Sequence, residues 1–221
     1  MKDEKARAAH TAEIHRRAAP ISSFIPHPSS LVLIGFMGSG KSSIGRRLAS
    51  ALRLPFIDLD AEIEKSAGMR IPSIFAAEGE AGFRRYETQS LRAVLDKSAV
   101  IASGGGLVTR EENRSLLHAA ARNGARIVYL RAQADTLAKR IRRQPGTRPL
   151  IDGHGTPLDM EATRLRVEEL LSQRAAWYEE CATLTVDTDK INADGVVRHI
   201  VRRLDATRNR GKAQGTDPTM S

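Results

Sequence analysis

The chain has 221 residues, of which 41% are hydrophobic, and its formal net charge is +9. This length suits one domain, and no apolar run approaches the roughly 18 residues that a membrane-spanning helix needs. The positive charge does not by itself indicate a nucleic-acid partner, because residues 1–28 and 206–221 each contribute a net +2 and aromatic residues amount to only 4%.

The two ends of the chain differ in composition from the rest. Residues 1–28 are rich in Ala, Arg and His, and residues 206–221 read "ATRNRGKAQGTDPTMS", so we predict that both are disordered tails. The first tail carries acidic residues and lacks the apolar stretch of a signal peptide. The single cysteine, Cys181, excludes an internal disulfide and is expected to pack in the core. We expect a monomer in the cytoplasm whose folded part spans residues 29–205.

Within residues 29–205, short apolar runs alternate with helical patterns. Strands are predicted at Leu31–Ile34, Pro55–Asp58, Ala99–Ala102, Arg126–Leu130 and Thr183–Val186. Helices are predicted at Ser43–Leu54, Glu80–Leu95, Glu111–Asn123, Ala134–Arg143, Met160–Ala182 and Ala193–Arg203, with shorter pieces at Ala61–Ala67 and Pro72–Ala77. This alternation favours an α/β fold, with a parallel sheet covered by helices on both faces.

Two segments depart from the regular alternation. The short helices lengthen the second crossover, and we predict a substrate-binding insertion at about residues 60–95. Residues 144–159, "QPGTRPLIDGHGTPLD", are rich in Gly and Pro and lie between two helices. This composition predicts a mobile lid, whose basic residues could close over phosphate groups.

The stretch "LVLIGFMGSGKSSIG" contains a phosphate-binding loop. Gly35, Gly40, Lys41 and Ser42 fit G-x-x-x-x-G-K-[ST] between a predicted strand and a predicted helix. In this setting backbone N–H groups and the helix N-terminus bind phosphate, lysine reaches the outer phosphates, and the serine hydroxyl binds Mg²⁺. We therefore predict that the chain binds a nucleoside triphosphate, and we call this segment the P-loop.

The second candidate constellation is "PFIDLD", in which Asp58 and Asp60 end a predicted strand. If the strand remains regular, both side chains face the same side, at the edge of the sheet where ligands bind. Two carboxylates there could bind Mg²⁺ or accept a proton. Asp60 could instead cap the helix that begins at "DAEIEK".

The third constellation combines "GFRRYETQSL" with "VIASGGGLV" one helix later. The strand before the glycines ends in Ser103 rather than in the aspartate that is common in P-loop proteins. Three successive glycines, Gly104, Gly105 and Gly106, predict that the backbone approaches a ligand closely.

The residues from Leu31 to Leu204 resemble those of the shikimate kinases. The resemblance rests on "GFMGSGKS", "FIDLD", Arg84 with Glu87 and Leu91, "VIASGGGLV", "TRPLI" and "LLSQRAAWY", in that order. It implies a P-loop kinase fold with a five-stranded parallel sheet of order 2-3-1-4-5. It also implies transfer of a phosphoryl group from ATP to the 3-hydroxyl of shikimate, with Mg²⁺ as the cofactor and these two small molecules as the partners.

For shikimate, the resemblance implies roles for six residues. Asp60 would bind ring hydroxyls and accept the proton of the hydroxyl that is phosphorylated. Arg84 and Arg174 would hold the carboxylate, which suits the planar guanidinium group. The turn of Gly104, Gly105 and Gly106 would line the ring.

For the nucleotide, the resemblance implies a second set of residues. Asp58 would assist the metal through water, together with Ser42, and Arg148 of the lid would lie with Lys41 over the transferring phosphoryl group. Arg140 is the candidate for packing on adenine, with Arg142 as a rival. The remaining residues implied in ATP binding are those of the P-loop: Gly38, Ser39, Gly40, Lys41, Ser42 and Ser43.

Three other functions are alternatives to shikimate phosphorylation. A gluconate-type sugar-acid kinase shares the P-loop and the size but lacks the Arg–x–x–Glu and triple-glycine unit. A nucleotide switch needs N-K-x-D, and this sequence contains no Asn-Lys pair. A basic RNA-binding protein with a vestigial P-loop would show salt-dependent RNA retention that survives removal of both tails.

Overall fold

The computed structural model describes residues 30–143 and 158–213, and these form a sheet with helices on both faces. The strands are β1 (Leu31–Ile34), β2 (Phe56–Asp58), β3 (Val100–Ala102), β4 (Arg126–Arg131) and β5 (Leu184–Asp187). The helices are α1 (Lys41–Leu52), α2 (Leu59–Ala67), α3 (Ile71–Leu95), α4 (Glu111–Arg122), α5 (Ala134–Arg142), α6 (Met160–Cys181) and α7 (Ala193–Ala213), with a 3₁₀ turn at Leu107–Thr109.

The five strands form one sheet of order β2-β3-β1-β4-β5 in which every pairing is parallel. The central strand β1 pairs on both sides, so that Val32 lies opposite Ile101 of β3 and Ile127 of β4. This confirms the predicted fold. Since parallel strands end at the same edge, the P-loop, Asp58 and the triple-glycine turn meet there.

Alternate residues of β1 supply the two halves of the core. Val32 and Ile34 face the layer that contains α3 to α6, whereas Leu31 and Leu33 face the layer of α1 and α7. All four are fully buried. Burial on both faces explains why β1 is continuously apolar rather than alternating, and the P-loop follows this strand directly.

Several helix boundaries differ from the predicted ones, and α1 begins and ends two residues earlier than predicted. Helix α2 begins at Leu59, so no residue separates it from β2, whereas the prediction left two residues between strand and helix. The predicted helical pieces Pro72–Ala77 and Glu80–Leu95 are the two parts of α3, which is broken at Gly79, whose φ of 66° and ψ of −171° are not helical. Helix α7 continues to Ala213, past position 205, where the sequence put the end of the domain. None of the helices in the described parts of the chain is long and apolar enough to cross a membrane.

Candidate active site

The P-loop turns back on itself and encloses the ammonium group of Lys41. Gly38 and Gly40 adopt φ values of 79° and 96°, which are accessible to glycine at little cost. Lys41 begins α1, and its Nζ donates to the carbonyl oxygens of Gly35 at 2.8 Å and Phe36 at 2.9 Å. The first turn of α1 has no acidic residue, so the positive end of the helix dipole remains available to an anion.

A cavity of about 580 Å³ opens beside the P-loop, and we call it the nucleotide cavity. The predicted nucleotide residues on its wall are Gly38, Gly40, Lys41, Ser42, Ser43 and Arg140. Arg140 is held by two hydrogen bonds to Thr188, whereas Arg142 donates to the Leu158 carbonyl oxygen. The structure thus places Arg140 on this cavity and turns Arg142 toward the segment before α6. Arg148 lies outside the described residues, as do positions 144–157 of the predicted lid at 144–159.

Ser42 and Asp58 form a pair of oxygen donors at the edge of the sheet. The Ser42 hydroxyl donates to Oδ2 of Asp58 at 2.9 Å. Hard oxygen ligands of this kind suit Mg²⁺, which usually retains several waters and is completed by substrate phosphates. The described residues contain no group of three or more His, Cys, Asp or Glu side chains that could hold a metal ion.

The structure corrects the sequence interpretation of the two aspartates. The strand ends at Asp58 and the chain becomes helical at Leu59, so Asp58 and Asp60 do not share one face of a regular strand. Asp58, rather than Asp60, caps the helix, because its Oδ1 accepts from the backbone N–H of Asp60 at 3.3 Å. Asp58 therefore contacts Ser42 through Oδ2 and the helix backbone through Oδ1, and the Asp60 side chain takes no part in the cap.

Asp60 lies on the wall shared by the nucleotide cavity and a second cavity. Burial raises the pKa of its carboxyl group, the negative charges of Asp58 and Glu64 raise it further, and the positive charges of Lys41 and Arg84 oppose the shift. A carboxylate whose pKa is raised binds a proton more readily than a solvated one, which suits a proton acceptor.

The second cavity, of about 390 Å³, lies between α2, α3 and the triple-glycine turn, and we call it the acceptor cavity. Arg70 and Arg84 are the cationic residues on its wall. Arg84 is 7% exposed and donates to Glu87 at 2.8 Å and to Glu80 at 3.0 Å. Glu87 is fully buried and its Oε1 has no hydrogen-bond partner among the described residues. Burial raises the pKa of Glu87, against the effect of the Arg84 charge. The cavity can therefore bind a ligand that is anionic at one end and carries hydroxyl groups at the other.

Each glycine of the turn has its own close neighbour, which explains why no side chain is present. A Cβ on Gly104 would lie 2.9 Å from Oε1 of Glu87 and 3.1 Å from Oδ1 of Asp60. On Gly105 it would lie 3.0 Å from the backbone nitrogen of Met37 in the P-loop. On Gly106 it would lie 2.5 Å from Nη1 of Arg84. The turn therefore brings the arginine, the carboxylates and the P-loop together.

Arg174 is buried and is not part of the described lining of either cavity. Its guanidinium carbon lies 5.8 Å from the centre of the Phe36 ring, and its Nη1 has no hydrogen-bond partner among the described residues. A buried N–H without a partner is uncommon and needs an explanation. An anionic group of a ligand would supply one.

Sequence reasoning missed several residues that line the acceptor cavity. Glu64 lies one helical turn after Asp60 and accepts from Nε of Arg70 and from the backbone nitrogen of Ile71, each at 3.0 Å. Phe75 and Phe83, which stack with ring centres 4.8 Å apart, add an apolar wall. The spacing of Asp60 and Glu64 on one helix face was a usable signal for Glu64.

Comparison with known proteins identifies the family of this chain. The family model for shikimate kinase matches residues 37–205. The chain belongs to the shikimate kinase family. The shikimate kinase of Thioalkalivibrio sulfidiphilus is 46% identical over 175 residues, which cover 79% of this chain and 86% of that protein.

Solved structures agree with the family assignment. A shikimate kinase from Acinetobacter baumannii, in complex with shikimate, matches with a TM-score of 0.72 and 32% identity over 82% of this chain and 95% of that one. A gluconokinase from Sinorhizobium meliloti matches with a TM-score of 0.54 and 20% identity over 86% of this chain and 99% of that one. The match to the gluconokinase shows only that the fold is shared, so it does not support a gluconate-type function for this chain.

Proposed function

We propose that this shikimate kinase family member transfers the γ-phosphoryl group of ATP to the 3-hydroxyl of shikimate. The observation that carries the proposal is the position of Asp60, which lies on the wall of both the nucleotide cavity and the acceptor cavity. A residue at that junction can touch a hydroxyl group in one cavity while a phosphate lies in the other. Positioning and electrostatic stabilisation account for most of the catalysis of phosphoryl transfer.

The acceptor would be oriented by its carboxylate. Arg84 offers a buried guanidinium group at the turn, and the partnerless Nη1 of Arg174 offers a second donor. Two guanidinium groups can hold one carboxylate at both oxygens, a geometry that favours arginine over lysine. With the carboxylate held there, the ring hydroxyls lie toward Asp60 and toward Oε1 of Glu87, whose second oxygen already binds Arg84.

The proposed reaction is a single displacement. The 3-hydroxyl oxygen forms a bond to the γ-phosphorus, the bond from that phosphorus to the bridging oxygen of ADP breaks, and the hydroxyl proton passes to the carboxylate of Asp60. Its raised pKa suits this acceptor role. Lys41 would stabilise the charge on the phosphoryl oxygens, and Arg148 of the lid is proposed to do the same.

Mg²⁺ is the proposed cofactor, with Ser42 binding it directly and Asp58 through water. Bound there, it would neutralise phosphate charge. Arg140 is proposed to pack on adenine, since it lies on the nucleotide cavity and its guanidinium group is fixed by Thr188. The backbone of Gly38 to Ser43 would bind the phosphates.

Product analysis tests the proposal directly. The protein is incubated with ATP, Mg²⁺ and shikimate, and the product is examined by ³¹P and ¹H NMR. We expect one phosphate ester, coupled to the proton on carbon 3 of the ring. A phosphate on another hydroxyl, or ester formation with gluconate and not with shikimate, would contradict the assignment of the acceptor.

A further inference from the structure

A buried tyrosine on α6, Tyr178, binds the triple-glycine turn. Tyr178 of α6 is 1% exposed, and its hydroxyl donates a hydrogen bond to the carbonyl oxygen of Gly105. Its ring stacks on Tyr129 of β4, with ring centres 5.0 Å apart and an angle of 18° between the planes. Tyr178 therefore both packs in the core and binds the triple-glycine turn through its hydroxyl.

The two groups that Tyr178 connects are both proposed to act on the substrates. Gly105 lies on the wall of both cavities, and a Cβ added to it would lie 3.0 Å from the backbone nitrogen of Met37. Arg174 lies one helical turn before Tyr178 and therefore on the same face of α6. The two are close enough that the Arg174 charge lowers the pKa of the Tyr178 hydroxyl, although burial raises that pKa more.

We propose that Tyr178 is a positioning residue that fixes the Gly105 peptide against α6. It thereby maintains the position of Arg174 relative to Asp60. This inference rests on the proposed function. Glycine peptides rotate easily, and the Gly105 peptide separates the acceptor from the phosphoryl donor. Small displacements of a reacting group reduce rate strongly, so a fixed peptide at this point contributes to alignment rather than only to stability.

The test compares two isosteric variants. Tyr178→Phe removes the hydroxyl and leaves the Gly105 carbonyl without this donor, whereas Tyr129→Phe removes a hydroxyl from the stacked ring, which lies on neither cavity in the described structure. For Tyr178→Phe we expect kcat to fall about tenfold and the KM for shikimate to rise. The KM for ATP should stay within about twofold of wild type, and Tyr129→Phe should match wild type in all three constants.

A purely structural role predicts different results. If Tyr178→Phe has the kinetic constants of Tyr129→Phe, or if both variants lose rate in proportion to their loss of melting temperature, the inference is overturned. Hydrogen exchange without substrate supplies a readout that does not depend on the reaction. We expect faster exchange in residues 103–109 of Tyr178→Phe only, and unchanged exchange there would also overturn the inference. Absence of shikimate phosphorylation in the wild type would instead refute the proposed function.

Discussion

Arg84→Lys tests whether a guanidinium group holds the substrate carboxylate. Arg84 uses separate nitrogens for Glu87 at 2.8 Å and Glu80 at 3.0 Å, and it lies under Gly106. Lysine keeps the charge but has one nitrogen, so it cannot bind Glu87 and both oxygens of a carboxylate at once. One hydrogen bond between charged groups contributes about 1.5–3 kcal/mol. Its loss predicts shikimate binding that is about tenfold to hundredfold weaker.

The assay is shikimate binding by calorimetry, with thermal unfolding measured in parallel. Arg85→Lys is the matched control, because Arg85 is the neighbouring residue on α3, pairs with Glu78, and has a side chain that is 66% exposed. We expect the control to bind shikimate as the wild type does. If Arg84→Lys binds shikimate normally, or if both variants lose affinity equally, the carboxylate is not held by Arg84.

Three further predictions concern the junction of the two cavities. Lys41→Ala should lower activity by orders of magnitude and also lower the free energy of unfolding by about 1–3 kcal/mol, because two hydrogen bonds to loop carbonyls are lost; normal turnover would refute the P-loop role. Asp60→Asn should reduce kcat by about 10²-fold or more and leave the Mg²⁺ dependence of the rate unchanged. Asp58→Asn should instead change the Mg²⁺ concentration that the rate requires. The opposite pattern would show that the roles of the two aspartates are reversed. Glu64→Gln removes a negative charge that raises the pKa of Asp60, so that pKa should fall and Asp60 should stay deprotonated at lower pH. The acid limb of the kcat/KM profile should therefore shift to lower pH, and a shift to higher pH would contradict this.

The fold was predictable because its signals are local. Each strand is a short apolar run, and each helix has apolar residues at helical spacing, so the alternation already indicated a parallel sheet. The errors lie at boundaries. The passage from β2 to α2 could not be located from the sequence, since "FIDLD" suits either state until Asp58 is seen to cap the helix.

The candidate site was predictable where its residues form contiguous motifs. Gly104, Gly105 and Gly106 stood out as three successive glycines, although only the structure shows that each lies against a different group. The role of Tyr178 could not be inferred in the same way, because its partner lies 73 residues away in the sequence. The Glu64 bond to the first turn of α3 depends likewise on how two helices pack, which no spacing rule specifies.

The central claim is tested most directly by the release of ADP from ATP in the presence and absence of shikimate. The protein is assayed with ATP and Mg²⁺ alone, then with shikimate, then with gluconate at the same concentration. We predict slow release without an acceptor, strong stimulation by shikimate, and no stimulation by gluconate. ADP release at one rate in all three conditions, or stimulation by gluconate alone, would contradict the claim that this chain phosphorylates shikimate.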